Sequence, residues 1–78
     1  MKITYDPEVD AAYIYFKKGK GEITTIRITE DIAIDFGPNE EIRGIEVLGA
    51  SKHFGAVKAG NKLRIELENL EVINKSAN

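Results

Sequence analysis

Three carboxylates, Asp6, Glu8 and Asp10, stand at alternate positions near the start of the chain, a spacing that could offer oxygen ligands to a hard divalent cation. The pattern then departs from a calcium loop of the EF-hand type. Such a loop needs glycine at its sixth position and glutamate at its twelfth, and counting from Asp6 those places hold Ala11 and Lys17. Aspartate before proline, as in Asp6-Pro7-Glu8, is also a turn and capping signal, because the carboxylate can accept free backbone N–H groups and proline presets its φ. Capping is therefore the reading to prefer, with a small metal-assisted hydrolase or metal-binding protein using Asp6, Glu8 and Asp10 as the alternative.

His53 is the sole histidine, and Ser51 lies two positions before it. Histidine is the usual general base near neutral pH. A nucleophile elbow requires Gly-x-Ser-x-Gly between a strand and a helix, whereas the sequence here is Gly49-Ala50-Ser51-Lys52-His53. The histidine is better read as a surface or interface residue.

Asp35, Glu40, Glu41 and Glu46 could pair for acid–base work only inside a cleft that raises one pKa. Turn tips and exposed strand faces offer little such depth, and charge there serves to blunt sheet edges. Gly19-Lys20-Gly21 lacks the longer loop and the Lys-Ser/Thr pair of a phosphate-binding loop. No catalytic residue, metal ligand set or cofactor is assigned. Tyr13 and Tyr15 on one strand face, with His53 and Phe54, are the candidate contact residues, since aromatics beyond the needs of a core often serve interfaces, although core packing is the reading to prefer for the two tyrosines.

These groups must be held by strands. Lys2–Tyr5 alternates polar and apolar side chains, Ala11–Lys17 is rich in aromatic and β-branched residues, and Glu22–Thr29 returns after Lys18-Gly19-Lys20-Gly21. The last two are expected to pair as a β-hairpin. Ile32–Phe36 and Ile42–Leu48 follow, separated by the turn signal Gly37-Pro38-Asn39-Glu40, with Gly44 marking a candidate bulge. Residues 49–61 read as loop with a helical turn. From Lys62 the alternation fits a strand, although Leu63, Leu67 and Leu70 also match helical spacing. The expected fold is mainly β (β-rich α+β): an antiparallel meander sheet of five to six strands with at most one short helix. Residues 1–73 form one domain and 74–78 a frayed tail.

The chain has 78 residues, no cysteine and a formal net charge of −2, with both signs interleaved. Lys17, Lys18 and Lys20 form the one tight basic cluster, beside two glycines, which argues against nucleic acid. The opening residues carry acids and a proline rather than the apolar core of a secretory signal, and no run approaches the ~18 apolar residues of a membrane span. A soluble, cytoplasmic protein is expected. A fold of this size hides only about 60% of its unfolded surface. With no disulfide to staple it, self-association as a homo-oligomer or binding to a small protein partner is expected.

The stretch Ile3-Thr4-Tyr5-Asp6-Pro7-Glu8-Val9-Asp10-Ala11-Ala12-Tyr13-Ile14, followed by Ile32-Ala33-Ile34-Asp35-Phe36 and Gly44-Ile45-Glu46-Val47-Leu48-Gly49-Ala50-Ser51-Lys52, resembles Domain of Unknown Function 2283. The resemblance covers residues 1 to about 54, and Tyr-Asp-Pro-Glu-x-Asp-Ala is its most specific part. It implies a small prokaryotic protein and transfers no catalytic residue. Some members are suspected antidotes of small toxins, so an antitoxin-like pairing is among the implied partners.

Overall fold

The computed structural model describes residues 1–55, 57–59 and 62–64. Seven strands and one helix occur among them: β1 (Lys2–Asp6), β2 (Ala11–Tyr15), β3 (Thr24–Arg27), β4 (Ile32–Phe36), β5 (Ile42–Leu48), α1 (Ala50–His53), β6 (Val57–Ala59) and β7 (Lys62–Arg64). Five strands form one antiparallel sheet in the order β1-β2-β5-β4-β3, and β6 pairs with β7 in a separate ribbon. The mainly β, antiparallel expectation holds. Lys62–Arg64 is strand, while residues 65–73 and the tail 74–78 lie outside the described residues.

Meander connectivity holds within β1–β2 and within β3–β4–β5 but breaks between them. The expected hairpin of β2 with β3 is not formed: β2 is flanked by β1 and β5, and β3 occupies the far edge. The physical reason lies in the strand and in the link. Both faces of β2 carry apolar or aromatic side chains, so an interior place in the sheet covers it better than a partner on one side. The link 16–23 must then cross three strand spacings, about 14 Å. Its eight residues reach up to about 26 Å, so Gly19 and Gly21 serve a crossover rather than a tight reversal.

Arg43 holds that crossover down. Its carbonyl accepts the N–H of Phe16 at 2.9 Å, and its Nη2 donates to the Lys20 carbonyl at 2.8 Å. A side chain at Gly19 or Gly37 would run into the guanidinium, so both glycines are there to let it lie between the crossover and the β4–β5 turn. The Arg43 side chain is only 10% exposed, with Glu41 Oε1 3.6 Å away. Arg43 is also the extra residue of the β4–β5 ladder, which pairs Asp35 with Gly44 and then Phe36 with Ile42. The irregularity foreseen at Gly44 thus falls beside it.

Alternation sorts the sheet into two faces. On one, Ile3, Ile14, Ile45, Ile34 and Ile26 stand in register across all five strands. The neighbouring row, Tyr5, Ala12, Val47 and Ile32, receives α1, and Ala12, Val47 and Ala50 form the buried cluster with Tyr5, Ile32, Ile45 and Phe54 against it. Among the described residues the fully enclosed apolar side chains are small: Ala12, Ala33, Val47 and Ala50.

Candidate functional site

The turn between β1 and β2 is built by its acids. The Asp6 carboxylate accepts the Glu8 N–H at 3.0 Å, the capping role that the Asp-Pro signal implied. Asp10 adopts φ 54°, a left-handed conformation that aspartate tolerates better than most residues. That backbone turn aims its carboxylate across the sheet end towards α1. Oδ1 accepts the Tyr5 hydroxyl at 2.7 Å and the Ser51 N–H at 3.2 Å, while Oδ2 accepts the Ser51 hydroxyl at 2.7 Å. The Asp10 carbonyl accepts the Ala50 N–H at 2.8 Å. Gly49, at the N-cap, has no side chain to cap the helix, so Asp10 supplies the acceptors from a distant strand end.

A second acid grips the other side of α1. Asp31 Oδ2 lies 2.8 Å from His53 Nε2 and 3.1 Å from Lys52 Nζ, and the Asp31 carbonyl accepts the Leu48 N–H at 2.8 Å. The hydrogen bond from His53, with that from Lys52, holds the Asp31 carboxyl below its ordinary value. Ser51 and His53 therefore face different carboxylates. The serine hydroxyl is spent on Asp10 and the histidine on Asp31, which leaves no relay between them. Likewise Asp6 and Asp10 are turned to separate tasks, and no group of three His, Cys, Asp or Glu side chains suited to a metal ion occurs among the described residues.

The polar face of the sheet carries two links that each pass over a small residue. The Tyr13 hydroxyl of β2 donates to Asp35 of β4, its ring lying where any side chain at Gly44 of β5 would have to be. Asp35 also accepts the Thr25 hydroxyl of β3 at 2.6 Å, so side chains of three strands, β2, β4 and β3, are tied together across β5. Arg27 of β3 reaches over buried Ala33 to Glu46 of β5 at 2.8 Å. Asp35 is half-buried rather than a solvated edge charge, which corrects its expected placement. Burial, then the bond to Asp35, pushes the Tyr13 phenol up to about 12; burial and the bond to Asp10 do the same for Tyr5.

The four candidate contact residues are dispersed. Tyr13 and Tyr15 meet edge to face at 4.5 Å on the polar face, with Lys2 Nζ 5.3 Å above the Tyr15 ring. His53 and Phe54 lie on and just after α1, at the sheet's end, where Phe54 packs on the buried cluster. The apolar face is different in kind. Ile3 and Ile26, at the two ends of the isoleucine row, are 40% and 47% exposed, while the cluster around α1 takes in the neighbouring row and Ile45 at the row's centre. Reading each strand singly did not reveal this row, because pairing across five strands creates it.

The links between Tyr5, Asp10 and Ser51 join the Tyr-Asp-Pro-Glu-x-Asp-Ala stretch to the start of α1. A profile described as a protein of unknown function (DUF2283) matches residues 2–51, from the first strand to Ser51. The chain belongs to the DUF2283 family. An uncharacterised protein of Methanocaldococcus jannaschii is 43% identical over 58 residues, 74% of this chain. The chain spans about half the length of that curated relative, 48%. No solved structure matches it. The DUF2283 match holds all five strands of the main sheet and both partners of the Asp10–Ser51 link, whereas His53 and Phe54 fall beyond it. No described helix is long and apolar enough to cross a membrane.

Proposed function

We propose that this DUF2283 protein is a protein-interaction module, working in the cytoplasm and contacting its partner through the isoleucine face of the main sheet. One observation carries the reading: five isoleucines stand in register on one face, while polar side chains on the opposite face and beside α1 are committed to holding the sheet and helix together. Exposed, contiguous apolar surface on a small protein marks a contact site more often than not. Tyr15, 45% exposed on the opposite face, together with Tyr13, His53 and Phe54, remains a second candidate contact set. The partner classes are a second copy of the chain or a small protein, an antidote's toxin among them. The metal-assisted alternative has no gathered ligand set among the described residues to support it.

The test is affinity recovery from native lysate with the tagged wild-type chain and with Ile26→Lys, which charges an exposed edge of the row. A stoichiometric partner, whether another protein or the untagged chain, should be retained by wild type and lost by the variant. Equal recovery with both, at unchanged circular dichroism, would sink the reading.

A further inference from the structure

Among the described residues β3 pairs with β4 alone, at the edge of the main sheet, and all four of its residues are exposed. The Ile28 N–H goes to the Ile32 carbonyl at 2.8 Å, so the main-chain groups of Ile26 and Thr24, two and four residues earlier, also turn to β4. Those of Thr25 and Arg27 then point outward. Neither side chain screens them: the Thr25 hydroxyl is turned inward to Asp35, and Arg27 reaches over the sheet to Glu46. Proteins blunt such an edge with lysine, proline or a bulge, and Thr24–Arg27 carries none of these.

Beside this edge lies an open groove of about 670 Å³, with Glu22, Thr24, Ile26, Phe36, Pro38 and Glu40 in its walls and no cation among its lining residues. Half-buried Phe36 and Ile26 give it an apolar floor, and two exposed glutamates give it an acidic rim. Gly21, at φ 97°, lies so close to Pro38 that a Cβ would meet its ring, which brings Glu22 from the crossover to the β4–β5 turn. Glu40 holds φ 64°, where glycine would be free of strain, and so keeps its carboxylate at the groove. We infer that edge and groove together take an extended, basic segment of a partner protein, which adds a strand beside β3; this rests on the interaction-module reading above and names the partner's chemistry. Side chains two apart share a face of a strand, so the segment sets an apolar residue on Ile26 and Phe36 and a cation, two positions away, between Glu22 and Glu40. The apolar residue lengthens the isoleucine row by one.

The experiment is fluorescence anisotropy of the full chain with a labelled peptide whose core is Arg-Thr-Ile-Thr-Arg, symmetrical so that either strand direction is served. The wild type should bind it. Methylating the peptide's alternate main-chain nitrogens should weaken binding about tenfold, because strand hydrogen bonds are lost. Thr25→Pro, which removes an outward N–H at an edge that tolerates proline, should weaken it about tenfold relative to Thr25→Val, which loses the same hydroxyl but keeps the N–H. Glu22→Gln/Glu40→Gln should weaken it by a similar factor, and a Glu-Thr-Ile-Thr-Glu peptide should not bind. Absence of wild-type binding, equal binding of the methylated peptide or equal binding of the acidic one overturns the inference; the peptide arms hold even if Thr25→Pro fails to fold by circular dichroism. So does a wild-type dimer that Thr25→Pro dissociates, since a second copy then holds the edge. Recovery from lysate with Thr25→Pro separates this inference from the reading beneath it. A partner lost by Ile26→Lys but kept by Thr25→Pro touches the isoleucine face without joining the edge, which overturns strand addition and leaves the interaction module in place.

Discussion

Asp10 and Ser51, 41 residues apart, are joined by both oxygens of one carboxylate to the backbone and the side chain of one serine. The contact ties the β1–β2 turn to the start of α1, so its loss should loosen the helix rather than the sheet. Asp10→Ala removes three side-chain acceptor contacts and places alanine at a positive φ; a loss of about 2–3 kcal/mol is expected in urea denaturation. Ser51→Ala should cost about 1 kcal/mol. In the double mutant the two losses should be clearly less than additive, and strict additivity would show that the pair does not interact.

Gly44 is the passage through which Tyr13 reaches Asp35. Gly44→Ala puts a methyl group into the tyrosine ring and should destabilise by about 1–3 kcal/mol. In a Tyr13→Val background the same substitution should cost far less. An equal cost in both backgrounds would place the strain elsewhere.

Glu40 takes φ 64° in the β4–β5 turn without being glycine or asparagine. Glu40→Gly relieves that conformation and should raise stability by about 0.5–1 kcal/mol, with Glu40→Asn intermediate. Thermal unfolding measures it, and a fall in the midpoint would show that the Glu40 side chain contributes more than its backbone costs.

Tyr5 and Tyr13 both hold their phenol protons to about pH 12, against an ordinary value of 10. Because the folded values are raised, the stability they lend is complete below pH 10 and is lost as pH rises from about 10 towards about 12. Tyrosinate absorbance should therefore lag that of the unfolded chain and then rise with unfolding. Tyr5→Phe and Tyr13→Phe should each flatten the alkaline limb of the stability curve.

Asp31 behaves in the opposite sense. Its folded value is depressed, so its contribution is present above the ordinary carboxylate value of 3.8 and is lost as pH falls through the lower folded one. His53→Ala should move its carboxyl titration, followed by NMR, back up. Lys52→Ala should move it less, because the lysine is the second cause and its side chain is 71% exposed.

Strand identities were legible because alternation and turn chemistry are local. Ile32–Phe36 and Ile42–Leu48 have the expected bounds, and the turn at residues 37–40 lies where glycine, proline and asparagine put it. Strand order was not legible. Lys18–Gly21 reads equally well as a tight reversal or as slack, and what decides between them is Arg43, more than twenty residues downstream. The candidate site was legible only in fragments. Asp10 and Ser51 were visible as a turn acid and a loop serine, and the glycine at the N-cap was the one local hint that a distant acceptor was required. The isoleucine row was hidden for the same reason, since register between strands is a long-range property.

The crossover 16–23 divides the main sheet into a local hairpin, β1–β2, and a local meander, β3–β4–β5, which among the described residues meet in the ladder of β2 with β5. Each part carries its own short-range pairing, and the β2–β5 ladder, with the Tyr13–Asp35 and Asp10–Ser51 links, unites them. A chain cut between Gly19 and Gly21 would thus leave two pieces able to find each other in trans. An intact chain whose link opened could lend its first hairpin to a neighbour and accept the neighbour's in return.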